Sequence, residues 1–145
     1  MSGAPMDESL LEIRDYGGAG FRPLVFFGSW RVAILRYLDE LQPDHIASME
    51  RHLETDEVFV LLCGRGTLIL GGNGMRCAGV QPQPMEIGRI YNVKRLAWHT
   101  ILLSLDASVL LVENSDTDEH NSEYDQLSAG QRAEILDAAR RESFL

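Results

Sequence analysis

Short apolar segments separated by turn-forming residues dominate the chain between residues 21 and 115. Branched and aromatic side chains are frequent in these segments, which favours strands over helices. The clearest break is Gly71-Gly72-Asn73-Gly74, where residues that tolerate positive φ predict a hairpin turn. The pattern predicts strands at 24–27, 30–38, 45–51, 57–63, 67–70, 75–78, 86–93, 99–105 and 108–113. Many short strands with no helical period between them indicate an all-β sandwich or barrel.

The segments outside these strands differ from them in composition. Residues 1–20 form a lead-in that ends in a glycine cluster, and Pro82 and Pro84 mark a loop. Residues 114–125 are acidic without Lys or Arg, which indicates a solvated excursion. Ser128 and Gln131 resemble a capping box, so a helix is expected over 129–141, packed on the exterior of the β-domain or on a partner. The predicted organisation is therefore 1–20 lead-in, 21–115 β-domain, and 116–145 acidic loop and C-terminal helix.

Length, charge and cysteine content narrow the class of protein. A chain of 145 residues fits one domain with a real core. The net charge of −9 disfavours binding to nucleic acid or to an anionic membrane. No leader is expected at the N-terminus, and the apolar runs are too short to span a bilayer. Cys63 and Cys77 form neither a disulfide framework nor a zinc-site spacing, so a soluble cytoplasmic protein is expected.

Three residues carry the chemistry that the sequence suggests. His52 precedes Glu57, which opens an apolar strand, and His99 opens another apolar strand much later. Imidazoles and a carboxylate at buried strand ends are costly unless something satisfies them, and a divalent metal does this well. The alternative is that an isolated His is a hydrogen-bonded structural residue. We take His45 and His120 to be surface residues, and Glu54 and Asp56 to be solvated loop charges.

These segments resemble the two motifs of the cupin superfamily. The first motif is glycine, five residues, His-x-His, three or four residues, glutamate, six residues and glycine; His52, Glu57 and Gly64 match its last three fixed positions. The second is glycine, five residues, Pro-x-Gly-x-x-His, three residues and asparagine; Gly88 and His99 match it. The resemblance implies a cupin-type double-stranded β-helix, or jelly roll, with a divalent metal held by His52, Glu57 and His99.

Several motif positions differ in this chain. Glu50 stands where the motif has its first histidine and Asp44 where it has its opening glycine, while Lys94, Leu96 and Leu103 replace proline, glycine and asparagine. The changes in the second motif affect mainly turn-forming residues. Glu50 either adds an oxygen ligand for Mn, Fe, Zn or Ni, or indicates that the metal is lost and the pocket kept.

Strand alternation extends the expected pocket. If Glu57 faces inward, Phe59, Leu61 and Cys63 do too, and Ile101 and Leu103 follow His99. Arg36 shares a face with Trp30, Val32 and Ile34, where it either clamps an anionic ligand or lies at a dimer contact. Tyr91 and Trp98 either rim the opening or simply pack. The expected ligand-binding residues are Arg36, Phe59, Tyr91 and Trp98.

Three functions remain open at this stage. The first is a metal-dependent isomerase or lyase acting on a small polar, anionic metabolite, with Glu50 as the catalytic residue that moves a proton. The second is a non-catalytic binding or sensing module, and the third is a metal-free acid–base enzyme using Glu57 and His99. The resemblance and the apolar strands also predict a homodimer. The expected partner is a small molecule. Binding to nucleic acid or to a membrane is not expected.

Overall fold

Ten strands and one helix make up the regular structure of the computed structural model, which describes residues 3–145. Short 3-10 turns at Asp39–Leu41, Pro43–His45 and Glu119–Asn121 connect some of them. The strands and the helix are β1 (Phe21–Phe27), β2 (Trp30–Arg36), β3 (Ser48–His52), β4 (Glu57–Cys63), β5 (Gly66–Leu70), β6 (Gln81–Pro84), β7 (Ile90–Val93), β8 (His99–Leu103), β9 (Ser108–Asn114), β10 (Ser122–Gln126) and α1 (Ala129–Arg141).

The strands form two five-stranded antiparallel sheets. The first sheet has the order β1-β2-β9-β4-β7, and the second has the order β10-β3-β8-β5-β6. Chain neighbours often lie in different sheets, so the two sheets are wound together rather than built one after the other. The prediction of a mostly β fold with a C-terminal helix is confirmed.

The main core fills the space between the two sheets. Alternate residues of β4, β5, β8 and β9 face inward and are buried, because side chains of a strand alternate between its two faces. The buried apolar residues of this core are Ala33, Phe59, Leu61, Leu68, Met85, Val93, Ile101, Leu103, Ala107, Val109 and Leu111. They pack toward one end of the two sheets, and the polar residues described below lie at the other.

The helix α1 covers the outer face of the second sheet. It begins at the predicted residue because the Ser128 hydroxyl accepts from the Gln131 backbone N–H, while the Gln131 side chain accepts from the Ser128 N–H. Its buried residues Ile135, Ala138 and Ala139 pack with Met49, Ile69, Leu102 and Trp98 in a second apolar cluster. The predicted helix and its packing on the exterior of the β-domain are confirmed.

Pro82 and Pro84 lie in a strand, and the expectation that they mark a loop is wrong. They belong to β6, whose residues Pro82 and Pro84 pair with Ile69 and Thr67 of β5. The strand lies at the edge of its sheet. The N–H of Met85 donates to Gly66 O, so the positions that bond to β5 are Met85 and, two residues earlier, Gln83. The proline nitrogens therefore face away from β5, where no ladder bond is lost. No strand forms at 75–78.

The acidic segment also carries a strand, which corrects the expectation of a solvated excursion. β10 pairs with β3 along its whole length, from Ser122 opposite His52 to Gln126 opposite Ser48. Its Asp125 is buried and accepts from Arg76 and from the Cys77 N–H. The lack of basic residues within the segment hid this pairing, because the basic partner Arg76 comes from another part of the chain.

Cys63 faces outward, contrary to the expectation from simple alternation. The pairing of β4 with β9 shifts between Leu61 and Cys63, and this irregularity turns Cys63 to the surface, where its thiol is free. On the outer face of the first sheet, Phe27 and Ile90 are exposed. These apolar side chains suit a contact with a second copy of the chain, and the homodimer stays a prediction.

No helix within residues 3–145 is both long and apolar enough to cross a membrane.

Candidate metal centre and ligand cavity

The structure brings His52, Glu57 and His99 together at one end of the space between the sheets. His52 ends β3, Glu57 begins β4 and His99 begins β8, and all three side chains face inward and are buried. Glu57 Oε1 lies 3.2 Å from His52 Nε2 and 3.1 Å from His99 Nε2. One carboxylate oxygen is therefore shared by two imidazoles that come from segments distant in the chain.

The outer ring nitrogen of each histidine is held by the surrounding structure. His99 Nδ1 lies 2.9 Å from the carbonyl oxygen of Ala97, which can only accept, so Nδ1 carries a proton. In a neutral His99 the lone pair on Nε2 would then face an oxygen of Glu57 that also carries lone pairs. His52 Nδ1 lies 2.8 Å from Ser122 Oγ, which fixes that ring as well. The arrangement requires either protons or a cation between Glu57 and the two imidazoles.

Without a metal, the three groups stabilise one another's charged forms. Burial disfavours a charged imidazole, but the hydrogen bond and the negative charge of Glu57 outweigh it and raise the pKa values of His52 and His99. Burial likewise disfavours the Glu57 carboxylate, yet its hydrogen bonds with both histidines hold the pKa of Glu57 below its ordinary value. The centre is therefore built around a negative charge on Glu57.

The spacing of these donor atoms fits a transition metal. Zinc binds imidazole nitrogen and carboxylate oxygen at about 2.0–2.2 Å, so neighbouring ligand atoms of such an ion lie about 3 Å apart. The distances of 3.1 and 3.2 Å around Glu57 Oε1 match that separation. Two neutral imidazoles and one carboxylate are also the donor types that Fe, Mn and Zn accept. The residues present therefore fit a metal.

Two overlapping groups of side chains could hold an ion, and both contain His52. One consists of Glu50, His52 and His99, and the other of His52, Glu57 and Glu113, each with its ligand atoms within 4.8 Å of one another. Glu50 lies on the mouth side, with its Oε1 3.9 Å from His99 Nε2 and its side chain 38% exposed. Burial and the carboxylate of Glu50 raise the pKa of Tyr124, which lies across the mouth.

Glu113 and Arg31 belong to the site and were missed by the sequence reasoning. Arg31 Nη2 donates to Glu113 Oε1 at 2.7 Å and to Thr117 O at 2.9 Å. Burial and the charge of Glu57 raise the pKa of Glu113 to about 8. The sequence did contain a signal for Glu113. This residue shares one face of a predicted strand with Val109 and Leu111, and both of these are apolar and therefore expected to face the core.

A cavity of about 940 Å³ opens above these residues. That volume lies within the range of small-molecule sites. Phe59, predicted as a ligand contact, lines it, with its ring centroid 5.9 Å from that of His99. Apolar side chains of Phe21, Leu35, Leu41 and Leu111 form other parts of its wall. The cavity thus combines a polar floor with apolar walls.

Three residues predicted to contact a ligand lie outside this cavity. Arg36 is on the other face of β2, because Ala33 and Leu35 are the residues that face the core. Trp98 precedes His99 and therefore turns to the opposite side, where it packs beneath α1 and donates from Nε1 to Gly74 O. Tyr91 packs against the core, and its hydroxyl accepts from the Glu86 N–H at 2.8 Å.

The loops that carry the two motif segments are tied together by Asp56. Its carboxylate accepts from the Arg95 N–H at 2.7 Å, from Lys94 Nζ at 2.9 Å and from Asn92 Nδ2 at 3.1 Å. Asp56 is thus a partly exposed loop charge outside the metal centre, as expected, and it also links the two loops. Leu96, which stands where the motif has glycine, adopts a φ of 73° and donates its N–H to His52 O. The turn keeps its shape at a cost in backbone strain.

Comparison with known proteins supports a jelly-roll fold of the cupin type. No family model matches the chain. Auxin-binding protein 4 of Zea mays is 30% identical over 95 residues, which cover 59% of this chain and 46% of that protein. The chain therefore spans about half the length of this curated relative.

Two solved structures share the architecture. A cupin-2 domain protein of Shewanella frigidimarina is 13% identical with a TM-score of 0.51, and the match covers 68% of this chain and 84% of that one. Streptomyces Pac13, a nucleoside dehydratase, is 10% identical with a TM-score of 0.54, covering 82% and 88%. At these identities the likeness shows the fold alone.

Proposed function

We propose that this chain is a protein of the cupin superfamily, that it binds a divalent transition metal through His52, Glu57 and His99, and that it holds a small polar molecule in the cavity above that centre. Mn, Fe, Zn and Ni all suit this donor set.

One observation carries the proposal: the Nε2 atoms of His52 and His99 converge on a single oxygen of Glu57. The proton on His99 Nδ1 is committed to Ala97 O, so Nε2 of the neutral ring is available as a donor to a metal. The Ser122 hydroxyl lies 2.8 Å from His52 Nδ1 and orients that ring. Orientation of a ligand's outer nitrogen by a neighbouring acceptor is typical of metal-binding histidines.

The charges lining the cavity favour a neutral or cationic ligand, rather than the anionic one expected from the sequence. Arg31 is paired with Glu113, which offsets its charge, although its Nε has no hydrogen-bond partner among residues 3–145. The carboxylates that line the cavity are Glu40, Glu50, Glu57, Glu113, Asp118 and Glu119. An anionic ligand would meet unfavourable potential from this set even with a divalent metal bound.

We further propose isomerase or lyase chemistry, in which Glu50 transfers the proton. His52, Glu57 and His99 would hold a metal that supplies Lewis-acid chemistry toward a carbonyl or hydroxyl group of the ligand. Glu50 faces the cavity and is partly exposed, so it can exchange protons with solvent between turnovers. Tyr124 lines the same mouth and shields this carboxylate on one side.

Metal content tests the proposal directly. Protein purified without a polyhistidine tag is incubated with Mn²⁺, Fe²⁺, Zn²⁺ or Ni²⁺, desalted and analysed for metal. We expect one equivalent in the parent protein and a large loss in His52→Ala and His99→Ala. His120→Ala is the matched control, because His120 is exposed and belongs to neither group of candidate ligands, so this variant should bind metal as the parent does. Equal metal content in all four proteins would overturn the ligand assignment.

A ligand screen separates an enzyme from a sensor. Neutral and amine-bearing small molecules are tested for thermal stabilisation of the metal-loaded protein, and every molecule that stabilises it is then incubated with the protein and recovered. Chemical change of the recovered molecule, lost in Glu50→Gln, supports catalysis. Recovery of each of them unchanged contradicts the isomerase or lyase proposal and favours the sensing module.

A further inference from the structure

Glu113 is a buried carboxylate with one oxygen left over. Its side chain is 3% exposed, and Arg31 binds Oε1 at 2.7 Å. Oε2 has no hydrogen-bond partner among residues 3–145. A buried carboxylate oxygen without a partner is costly, so either a bound cation or a proton shared with Glu57 must occupy the space in front of it.

The free oxygen points toward the metal centre. Glu113 Oε2 lies 3.8 Å from His52 Nε2, and the ligand atoms of Glu113, His52 and Glu57 are all within 4.8 Å of one another. Two carboxylates this close together in a buried site repel each other unless a cation or a proton lies between them. Glu57 and Glu113 therefore form two sides of a site suited to a cation.

We propose that Glu113 supplies the fourth protein ligand of the metal centre through Oε2, and so replaces the histidine that Glu50 has displaced from the motif. The inference rests on the proposed function, since it concerns the same metal. It changes the proposed donor set to His52, Glu57, His99 and Glu113, since Glu113 groups with His52 and Glu57, and His99 Nε2 lies 3.1 Å from Glu57 Oε1. A set of two neutral imidazoles and two carboxylates balances the charge of a divalent ion.

Glu50 is less suited to this role, although it occupies the sequence position of the missing histidine. Its side chain is 38% exposed, against 3% for Glu113, and it lies on the cavity side of His99. Water satisfies an exposed carboxylate without help from a metal, whereas Glu113 Oε2 has no such access. Glu50 thus remains free to contact the bound molecule.

Arg31 acts as a positioning residue for Glu113. Its contacts to Glu113 Oε1 and Thr117 O fix the carboxylate so that only Oε2 remains available to an ion. Arg31 thereby holds the Glu113 side chain in place whether or not an ion is bound.

The experiment compares two isosteric variants by titration with Zn²⁺ or Co²⁺ alone. In calorimetry, Glu113→Gln should lower metal affinity at least about tenfold, because an amide is a poor ligand in place of a carboxylate. Glu50→Gln should lower affinity less than Glu113→Gln does, and Glu54→Gln, at an exposed carboxylate outside the cavity, should bind as the parent does. In Co²⁺-loaded protein, the visible absorption bands should shift in Glu113→Gln and stay unchanged in Glu50→Gln.

Arg31→Lys keeps the inference testable if Glu113→Gln folds poorly. Lysine retains the positive charge but cannot hold Glu113 and Thr117 together through one planar group, so metal affinity should fall while the protein stays folded. Thermal unfolding of each metal-free variant checks the fold independently of metal.

The outcomes separate the inference from the proposed function. Parent-like metal affinity and an unchanged cobalt spectrum in Glu113→Gln would overturn the role of Glu113 and leave the metal centre standing; this is also the result if Glu113 merely shares a proton with Glu57. Weaker binding in Glu50→Gln alone would assign the fourth position to Glu50. Failure of the parent to bind any metal would remove both.

Discussion

The two ends of the space between the sheets differ sharply, although the same strands build them. We call them the polar end, formed by His52, Glu57, His99 and Glu113, and the apolar end, formed by Leu61, Leu103 and Val109. Along β4 the inward residues run from Glu57 through Phe59 to Leu61, and β8 runs from His99 through Ile101 to Leu103. β9 runs the other way, from Val109 through Leu111 to Glu113.

This difference separates stability from function within one core. The apolar end buries hydrocarbon, which stabilises the fold roughly in proportion to the area removed from water. The polar end buries charged groups, and burying them costs free energy that their mutual contacts recover only in part. Substitutions at the apolar end should therefore affect unfolding most, and those at the polar end should affect ligand binding most.

The largest effect on stability is expected from Leu61→Ala. Leu61 is fully buried between the sheets, so truncation leaves a cavity and should lower the free energy of unfolding by about 3 kcal/mol. Urea denaturation measures the change. Leu62→Ala is the matched control, since Leu62 lies next along the strand and is exposed; its effect should be about 0.5 kcal/mol. Equal losses in the two variants would contradict the division of the core. Metal content per folded molecule should not change in either.

A smaller loss is expected from Gly64→Ala at the same end. Gly64 has a φ of 73°, and an added Cβ would lie 2.6 Å from the Cα of Ala107. Backbone strain and this clash together should cost about 2 kcal/mol. Gly28→Ala shares the positive φ but has open space around it, so it should cost about 1 kcal/mol. Thermal denaturation in parallel compares the two, and a greater loss for Gly28→Ala would mean that the contact with Ala107 is not tight.

The smallest effect concerns Asp56, which ties the loops of the polar end. The Arg95 N–H, Lys94 and Asn92 lower the pKa of Asp56 to about 2. Because the folded-state pKa lies below the unfolded value, the carboxylate stabilises the fold above about pH 4 and loses this contribution as pH falls toward 2. Asp56→Asn should therefore cost less than about 1 kcal/mol at pH 7, since the side chain is one-third exposed.

The pH dependence distinguishes this charge effect from a steric one. The difference in unfolding free energy between Asp56→Asn and the parent should shrink between pH 4 and pH 2. Glu54→Gln serves as the control, because Glu54 is exposed, and should match the parent at every pH. A difference for Asp56→Asn that stays constant with pH would show that the carboxylate's charge is not what ties the loops.

The sequence was sufficient for the fold class and for the pairing of distant residues at the polar end. Alternation within β4 and β8 placed Phe59 and Ile101 inward correctly, because those strands are apolar on the core face and β4 ends clearly at the turn of Gly64. The helix α1 was predictable to the residue, since its start is determined by a local capping pattern rather than by tertiary contacts.

Arg31 was out of reach for a physical reason. Both faces of β2 are apolar, because Val32 and Ile34 on the outer side are as hydrophobic as Ala33 and Leu35 on the inner side. A strand of this kind contains no signal for which face is the core, and an error of one residue exchanges the two. The choice of Arg36 over Arg31 follows from that ambiguity.

The prolines of β6 have a consequence beyond their own pairing. The edge of a sheet offers unpaired backbone groups on which a strand from another molecule can assemble. At Pro82 and Pro84 the outward positions have no hydrogen to donate, and their rings obstruct an approaching chain. This edge of the second sheet therefore resists the addition of a strand from another molecule and so the growth of fibrils. The proline rings, rather than charged side chains, provide that protection.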